Sequence, residues 1–171
     1  LVVGDGPLRE KIHKLGMKLL GEQFQLIKMS YEELPTAYRV ADVFTIPSES
    51  YHSFEIVLVE AMATNLPVVA NNDLIREEIV GDAGILVNPT DTNAYAAALK
   101  KALNDKQGDK PRRQAEKFSW DKIAKQYEEL FKETQVSGII SEENYGLRAP
   151  LAACAKRNNI DFFCLSHATL G

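Results

Sequence analysis

A chain of 171 residues, 45% hydrophobic and 26% charged, has the make-up of an ordinary soluble globular protein of one domain, or one domain with a piece of another. Its formal charge of −4 excludes a whole-chain basic footprint for nucleic acid, and the Lys/Arg cluster from Lys100 to Lys117 reads as a solvated face. There is no apolar run of the ~20 residues a membrane span needs, no signal peptide, and neither a metal spacing nor a disulfide framework in Cys154 and Cys164, so a reducing cytoplasmic setting is expected.

Strand-like and helix-like segments then alternate along the chain. Leu1–Val3 is a short apolar strand end, and Gly4-Asp5-Gly6 makes a turn. Pro7 sits at the first position of a helix through Leu20, with Ile12, Leu15, Leu19 and Leu20 as its apolar stripe. Phe24–Met29 alternates as a strand. Ser30 caps a helix to Val40, Glu33 completes a capping box, and Pro35 lies near the first turn. Val43–Ile46 is a strand ended by Pro47. After a polar loop, Ser53 caps a helix from Phe54 to Ala63 that is apolar almost all round, and burial is expected. Pro67–Ala70 is a buried-type strand, Asp73 caps a short helix to Val80, and Gly84–Val87 is another strand. Asp91 caps Thr92–Leu103, and Ser119 caps Trp120–Glu133.

Strands separated by helices argue for βαβ units. The fold class is therefore α/β: a Rossmann-like lobe with a parallel sheet and helices on both faces, plus a short α/β tail. The lobe spans residues 1–134. Residues 135–144 read as a Gly/Ser/Glu/Asn linker. Residues 145–171 read as a tail, with a helix at Tyr145–Arg157 and a strand at Asp161–Leu165. The tail is either the start of a further α/β unit or an element added to the first. The chain opens inside one strand-like run and stops after another, so both ends read as cut from something longer.

In open α/β sheets, ligands bind beyond the carboxyl ends of the strands. Three loops leave strands there: Gly4–Pro7, Met29–Glu32 and Pro47–Phe54. Glu60 stands out as one acid within an apolar helix. A buried carboxylate is costly unless it is hydrogen-bonded, and its two oxygens suit the vicinal hydroxyls of a ribose. The alternative is a core acid satisfied by a basic residue. The backbone N–H groups of Phe54, Glu55 and Ile56 suit phosphate oxygens, against simple capping by Ser53. The Glu55 side chain is an unfavourable neighbour for an anion unless it points away. His52 can bond a sugar hydroxyl or be an exposed loop histidine. Met29 and Tyr31 are placed to flank a base ring or simply to pack. Gly4-Asp5-Gly6 is a phosphate-loop look-alike that a turn and helix start explain fully.

Four blocks, LVVGDGP, SYEELPTAYRVADVFTIPS, SFEIVLVEAMATNLPVVA and REEIVGDAGILVNPTD, together resemble the C-terminal half of retaining glycosyltransferases of family 4, or glycosyltransferase group 1, with the GT-B fold. The resemblance implies a lobe that binds a nucleotide-diphosphate sugar in a cleft facing an N-terminal acceptor lobe. It implies Glu60 on the ribose, His52 to Ile56 toward diphosphate and sugar, and Met29 to Tyr31 at the base. No divalent metal is implied, because helix N-termini and a basic pair offset the charge of the leaving diphosphate. The first glutamate of the family's paired-glutamate motif falls on His52, and its usual glycine falls on Glu55. The first strand and helix of the lobe, which carry the basic pair, and the acceptor lobe fall outside the chain.

The expected function is retaining glycosyl transfer to a polysaccharide, lipid or other acceptor. It would take place in the cytoplasm or at the cytoplasmic face of the membrane, reached through the acceptor lobe. The fragment alone is expected to be inactive. The alternatives are a non-catalytic nucleotide-sugar-binding or interaction module and a nucleotide-sugar epimerase of the same fold.

Overall fold

β-Branched and aliphatic runs bounded by turn residues become strands, and the helices between them force parallel pairing. The computed structural model describes residues 1–48, 54–105, 107–135, 137–142 and 148–165. The chain divides into two units, Leu1–Arg112 and Arg113–Gly171.

In the first unit, β1 (Val2–Val3) and β2 (Leu26–Ile27) pair in parallel across α1 (Arg9–Leu20). A three-stranded parallel sheet follows, in the order β3 (Phe44–Ile46), β4 (Val68–Asn71), β5 (Gly84–Val87). Helix α2 (Leu34–Val40) precedes β3. Helices α3 (Ile56–Ala63) and α4 (Leu74–Val80) make the crossovers, and α5 (Thr92–Asn104) follows β5.

All four residues of β4 are buried, which requires cover on both faces. Val69 packs with Ala98 and Ala102 of α5. On the opposite face, a Cβ built on Gly84 would meet the side chains of Val68 and of Val80 from α4 at 2.6 and 2.7 Å. Glycine is what lets α4 approach there. Leu58, Val68, Val69 and Ile79 are essentially inaccessible, each contributing about 1.5–3 kcal/mol of burial.

The aspartate caps form as their sequence dictates. The Asp73 carboxylate accepts from the N–H groups of Ile75 and Arg76, and Asp91 from those of Asn93 and Ala94. Other helix starts are corrected. Helix α1 begins at Arg9 rather than Pro7, with Leu8 as its N-cap. The Ser30 N–H does donate to Glu33 Oε2 at 2.7 Å, but the helix starts only at Leu34. Pro35 lacks an N–H and is tolerated only in a first turn, so the helix cannot begin as early as Ser30. Helix α3 begins at Ile56, with Glu55 rather than Ser53 at its cap position. Ser53 lies outside the described residues, as does His52. Nor is α3 buried throughout: Leu58, Ala61 and Met62 are inside, while Ile56 is 49% exposed. Ser119 precedes α7 (Trp120–Thr134) without a side-chain capping bond. The basic stretch after α5 holds an extra short helix, α6 (Lys110–Ala115), with Lys110, Arg112 and Arg113 exposed.

The second unit contains α7, β6 (Gly138–Glu142), α8 (Arg148–Arg157) and β7 (Asp161–Leu165), with β6 and β7 parallel. The stretch read as a linker thus carries a strand. Ile139 packs beside a core of Phe131, Cys154, Ala155 and Ile160, a long-range contact that the polar flanks of β6 conceal in the sequence. Burial raises the Cys154 thiol above its ordinary pKa. Among the described residues, no helix is long and apolar enough to cross a membrane.

Candidate functional site

The carboxyl ends of β3 and β4 lie side by side, with Ile46 in register with Ala70. Just beyond them a polar network ties four segments together. Asn71, 4% exposed at the end of β4, accepts from the Ser48 N–H at 3.1 Å and donates to the Ser48 carbonyl. The Ser48 hydroxyl donates to Glu55 Oε1. Arg76 of α4 grips the same carboxylate, with Nε 3.1 Å from Oε2 and Nη2 2.9 Å from Oε1. Its Nη1 reaches Asp73 Oδ2 at 3.2 Å.

The Arg76 side chain is fully buried, against 10% exposure for Glu55 and 22% for Asp73. Burial would ordinarily disfavour the guanidinium charge. The Glu55 hydrogen bond outweighs that, and the Arg76 pKa is raised above its usual value. The Glu55 side chain, at the cap position of α3, is therefore turned onto a cation.

Glu60 lies one helical turn after Ile56, about 6 Å along α3. It is half-buried and accepts from the Tyr38 hydroxyl of α2 at 3.0 Å on Oε2. Tyr38 is itself buried, with its ring edge-on to Phe44 at 5.6 Å between centroids. Burial first, then the Glu60 carboxylate, pushes the phenol well above the ordinary tyrosine range, and Tyr31 lies near enough to add to the effect. Among the described residues no Lys, Arg or His forms an ion pair with Glu60. Among the described residues the alternative of a basic partner does not form, and the Tyr38 phenol takes that place.

The remaining positions are less gathered. Tyr31 is 72% exposed after β2, and Met29 is half-buried. Phe54 and Ile56 are exposed at the start of α3. The Gly4-Asp5-Gly6 turn leaves β1 on the same edge as the loop after β2. Lys28 Nζ meets Asp5 Oδ2 at 3.0 Å, and Arg9 donates to the Gly4 carbonyl at 3.0 Å. The groove beneath it, about 360 Å³, is lined mainly by Val2, Val3, Leu8, Ile12 and Leu26.

Four participants escape a reading of the sequence: Ser48, Asn71, Arg76 and Tyr38. Arg76 stands three and four positions before Ile79 and Val80, both buried, so helical spacing marks it as inward-facing. Its partner Glu55 is too distant in sequence for any local pattern to reveal.

Residues 1–105 match the family model described as glycosyl transferases group 1. The chain is similar to the sulfoquinovosyl transferase of Arabidopsis thaliana, at 35% identity over 130 residues, which cover 69% of this chain and 24% of that protein. It is similar to the O-antigen chain mannosyltransferase B of Escherichia coli, at 36% over 103 residues, 56% of this chain and 26% of the relative. The phosphatidyl-myo-inositol mannosyltransferase of Mycolicibacterium smegmatis is 34% identical over 151 residues, 81% of this chain and 38% of the relative. The chain thus spans between a quarter and two-fifths of the length of these relatives. By its family match over most of its first unit, this chain belongs to the group 1 glycosyltransferases.

Proposed function

We propose that this chain is the donor-binding lobe of a GT-B, retaining glycosyltransferase that takes its sugar from a nucleotide-diphosphate donor. The observation that carries the reading is Glu60. A half-buried carboxylate bonded through one oxygen to a neutral phenol keeps a second oxygen for a ligand. Vicinal ribose hydroxyls are donors of the right spacing for it. One turn earlier on the same helix, the backbone around Phe54, Glu55 and Ile56 serves the diphosphate, and the Glu55 side chain is already neutralised by Arg76. Tyr31, exposed and near Tyr38, and Met29 flank the base.

In this reading the donor's anomeric bond breaks with the nucleoside diphosphate as leaving group, and the sugar passes to the acceptor with its configuration kept. The acceptor is a polysaccharide, lipid or other hydroxyl compound, in keeping with the mannosyl and sulfoquinovosyl transfer in the relatives' names. An acceptor lobe in the same protein is the partner, the site is cytoplasmic or at the cytoplasmic membrane face, and nucleic acid has no part. Residues 1–134 form the donor lobe, and the fragment without its acceptor lobe does not turn over.

His52 stands where the family motif has its first glutamate, and it motivates a second reading, a module that binds the nucleotide sugar without chemistry. The full-length protein incubated with UDP-, GDP- and ADP-sugars separates the readings. Release of nucleoside diphosphate with an axial-to-axial or equatorial-to-equatorial product by NMR supports retaining transfer. Interconversion of sugar epimers without nucleotide release would mean an epimerase. Binding without turnover, followed by a large gain with His52→Glu, would mean a degenerate transferase. Binding without turnover that His52→Glu leaves unchanged would mean a binding module.

A further inference from the structure

Ser48 and Glu55 bracket the segment that contains His52 and Ser53. The two ends of that segment are tied to each other by the Ser48 hydroxyl on Glu55. They are tied to the sheet by Asn71 and to α4 by Arg76, which is in turn held by the helix-capping Asp73. The backbone that opens α3 is thereby referenced to two rigid elements. The same ion pair has an electrostatic consequence. Glu55 sits at the cap position of α3, where an anionic ligand gains from the helix N–H groups. A free carboxylate there would repel that ligand; a carboxylate held by a fully buried guanidinium, which also pairs with Asp73, repels it less.

We propose that Arg76 is a positioning residue for the donor site, which it serves by drawing the Glu55 carboxylate inward and so keeping the start of α3 both fixed and electrically open to a diphosphate. The inference rests on the proposed function, because it takes the ligand at this edge to be a nucleoside diphosphate. It predicts an asymmetry that a purely structural ion pair would not produce. Arg76→Met takes the cation from Glu55 and leaves the Ser48 hydroxyl as its donor. Glu55→Gln removes the charge and keeps the shape.

The test is calorimetric titration of the chain with UDP, GDP and ADP in wild type, R76M, E55Q and the double variant. R76M is expected to weaken binding about tenfold or more, as an added unscreened charge beside a diphosphate should. E55Q is expected to weaken it clearly less. The double variant is expected to recover to the E55Q level, and the R76M loss is expected to shrink as salt is raised. Equal losses in R76M and E55Q without recovery in the double variant would overturn the proposal while leaving the site in place. Wild type that binds none of the three nucleotides would overturn the functional reading itself.

If R76M does not fold, Arg76→Lys carries the test through hydrogen exchange. Lysine keeps the charge but loses the two-pronged grip. Exchange is expected to quicken at the amides of Ser48, bonded to Asn71, and Leu58, bonded to the Glu55 carbonyl, while amides of β4 stay protected. Unchanged exchange at Ser48 and Leu58 would overturn the positioning role.

Discussion

Two acids at the same helix, Glu55 at its cap and Glu60 a turn further on, are handled in opposite ways. Glu55 meets a hydroxyl and a fully buried arginine that it shares with Asp73, so its charge is offset by a cation. Among the described residues, Glu60 meets the neutral phenol of Tyr38 and forms no ion pair. A cation removes a carboxylate from chemistry, whereas a phenol fixes its position and leaves its charge for another donor. The comparison separates an acid that shapes the site from one suited to hold a ligand.

The largest effect expected from breaking this contrast is on stability at Glu55. Arg76→Met strands Glu55 and Asp73 beside an apolar side chain and should cost about 3–5 kcal/mol, read as a lower midpoint in urea. A loss under about 1 kcal/mol would mean that Glu55 finds water instead of desolvation, and the contrast with Glu60 would blur. Next comes Tyr38→Phe. It removes one part-buried hydrogen bond and should cost about 1 kcal/mol, while leaving Glu60 more mobile. The Tyr38 phenol has a raised pKa, so the stability it lends is complete below its unfolded value, about pH 10, and is lost as the pH climbs beyond that. Tyr38→Phe should flatten that alkaline decline, measured by denaturant midpoints from pH 8 to 11.

The smallest effect is at a third acid, Asp5, exposed and paired with Lys28. The Lys28 hydrogen bond lowers the Asp5 pKa, so whatever stability the pair lends is present above the unfolded pKa and is lost as the pH falls through the lowered one. Because the pair is solvated, Lys28→Ala should leave the melting temperature unchanged within error at physiological salt. A clear drop would show that exposure alone does not rank these three acids.

Much of the lobe was legible because its signals are local. The caps at Asp73 and Asp91 need only a carboxylate two or three residues before a free N–H. The order of strands and helices follows from runs and periods. Glu60 was visible as an anomaly, one acid in an apolar helix. Its partner was not, because Tyr38 lies on another helix and only the packing of α2 against α3 brings them together. Arg76 escaped for the same reason: its spacing to Ile79 and Val80 points inward, but its partner Glu55 lies 21 positions away. The helix starts at Arg9, Leu34 and Ile56 shifted from their expected positions where a proline or an ion pair competed with the cap. The strand at Gly138–Glu142 was hidden because its apolar pair is short and its register is set by β7.

The proposed role of Glu60 is to hold a ribose. It is tested most directly by titrating the chain with a nucleoside diphosphate and its 2′-deoxy form, in wild type and in Glu60→Gln. The deoxy form is expected to bind wild type about tenfold or more weakly, since it leaves a carboxylate oxygen without its donor, and the gap is expected to close in Glu60→Gln. Equal affinity of the two nucleotides for wild type, or a gap that survives in Glu60→Gln, would contradict it.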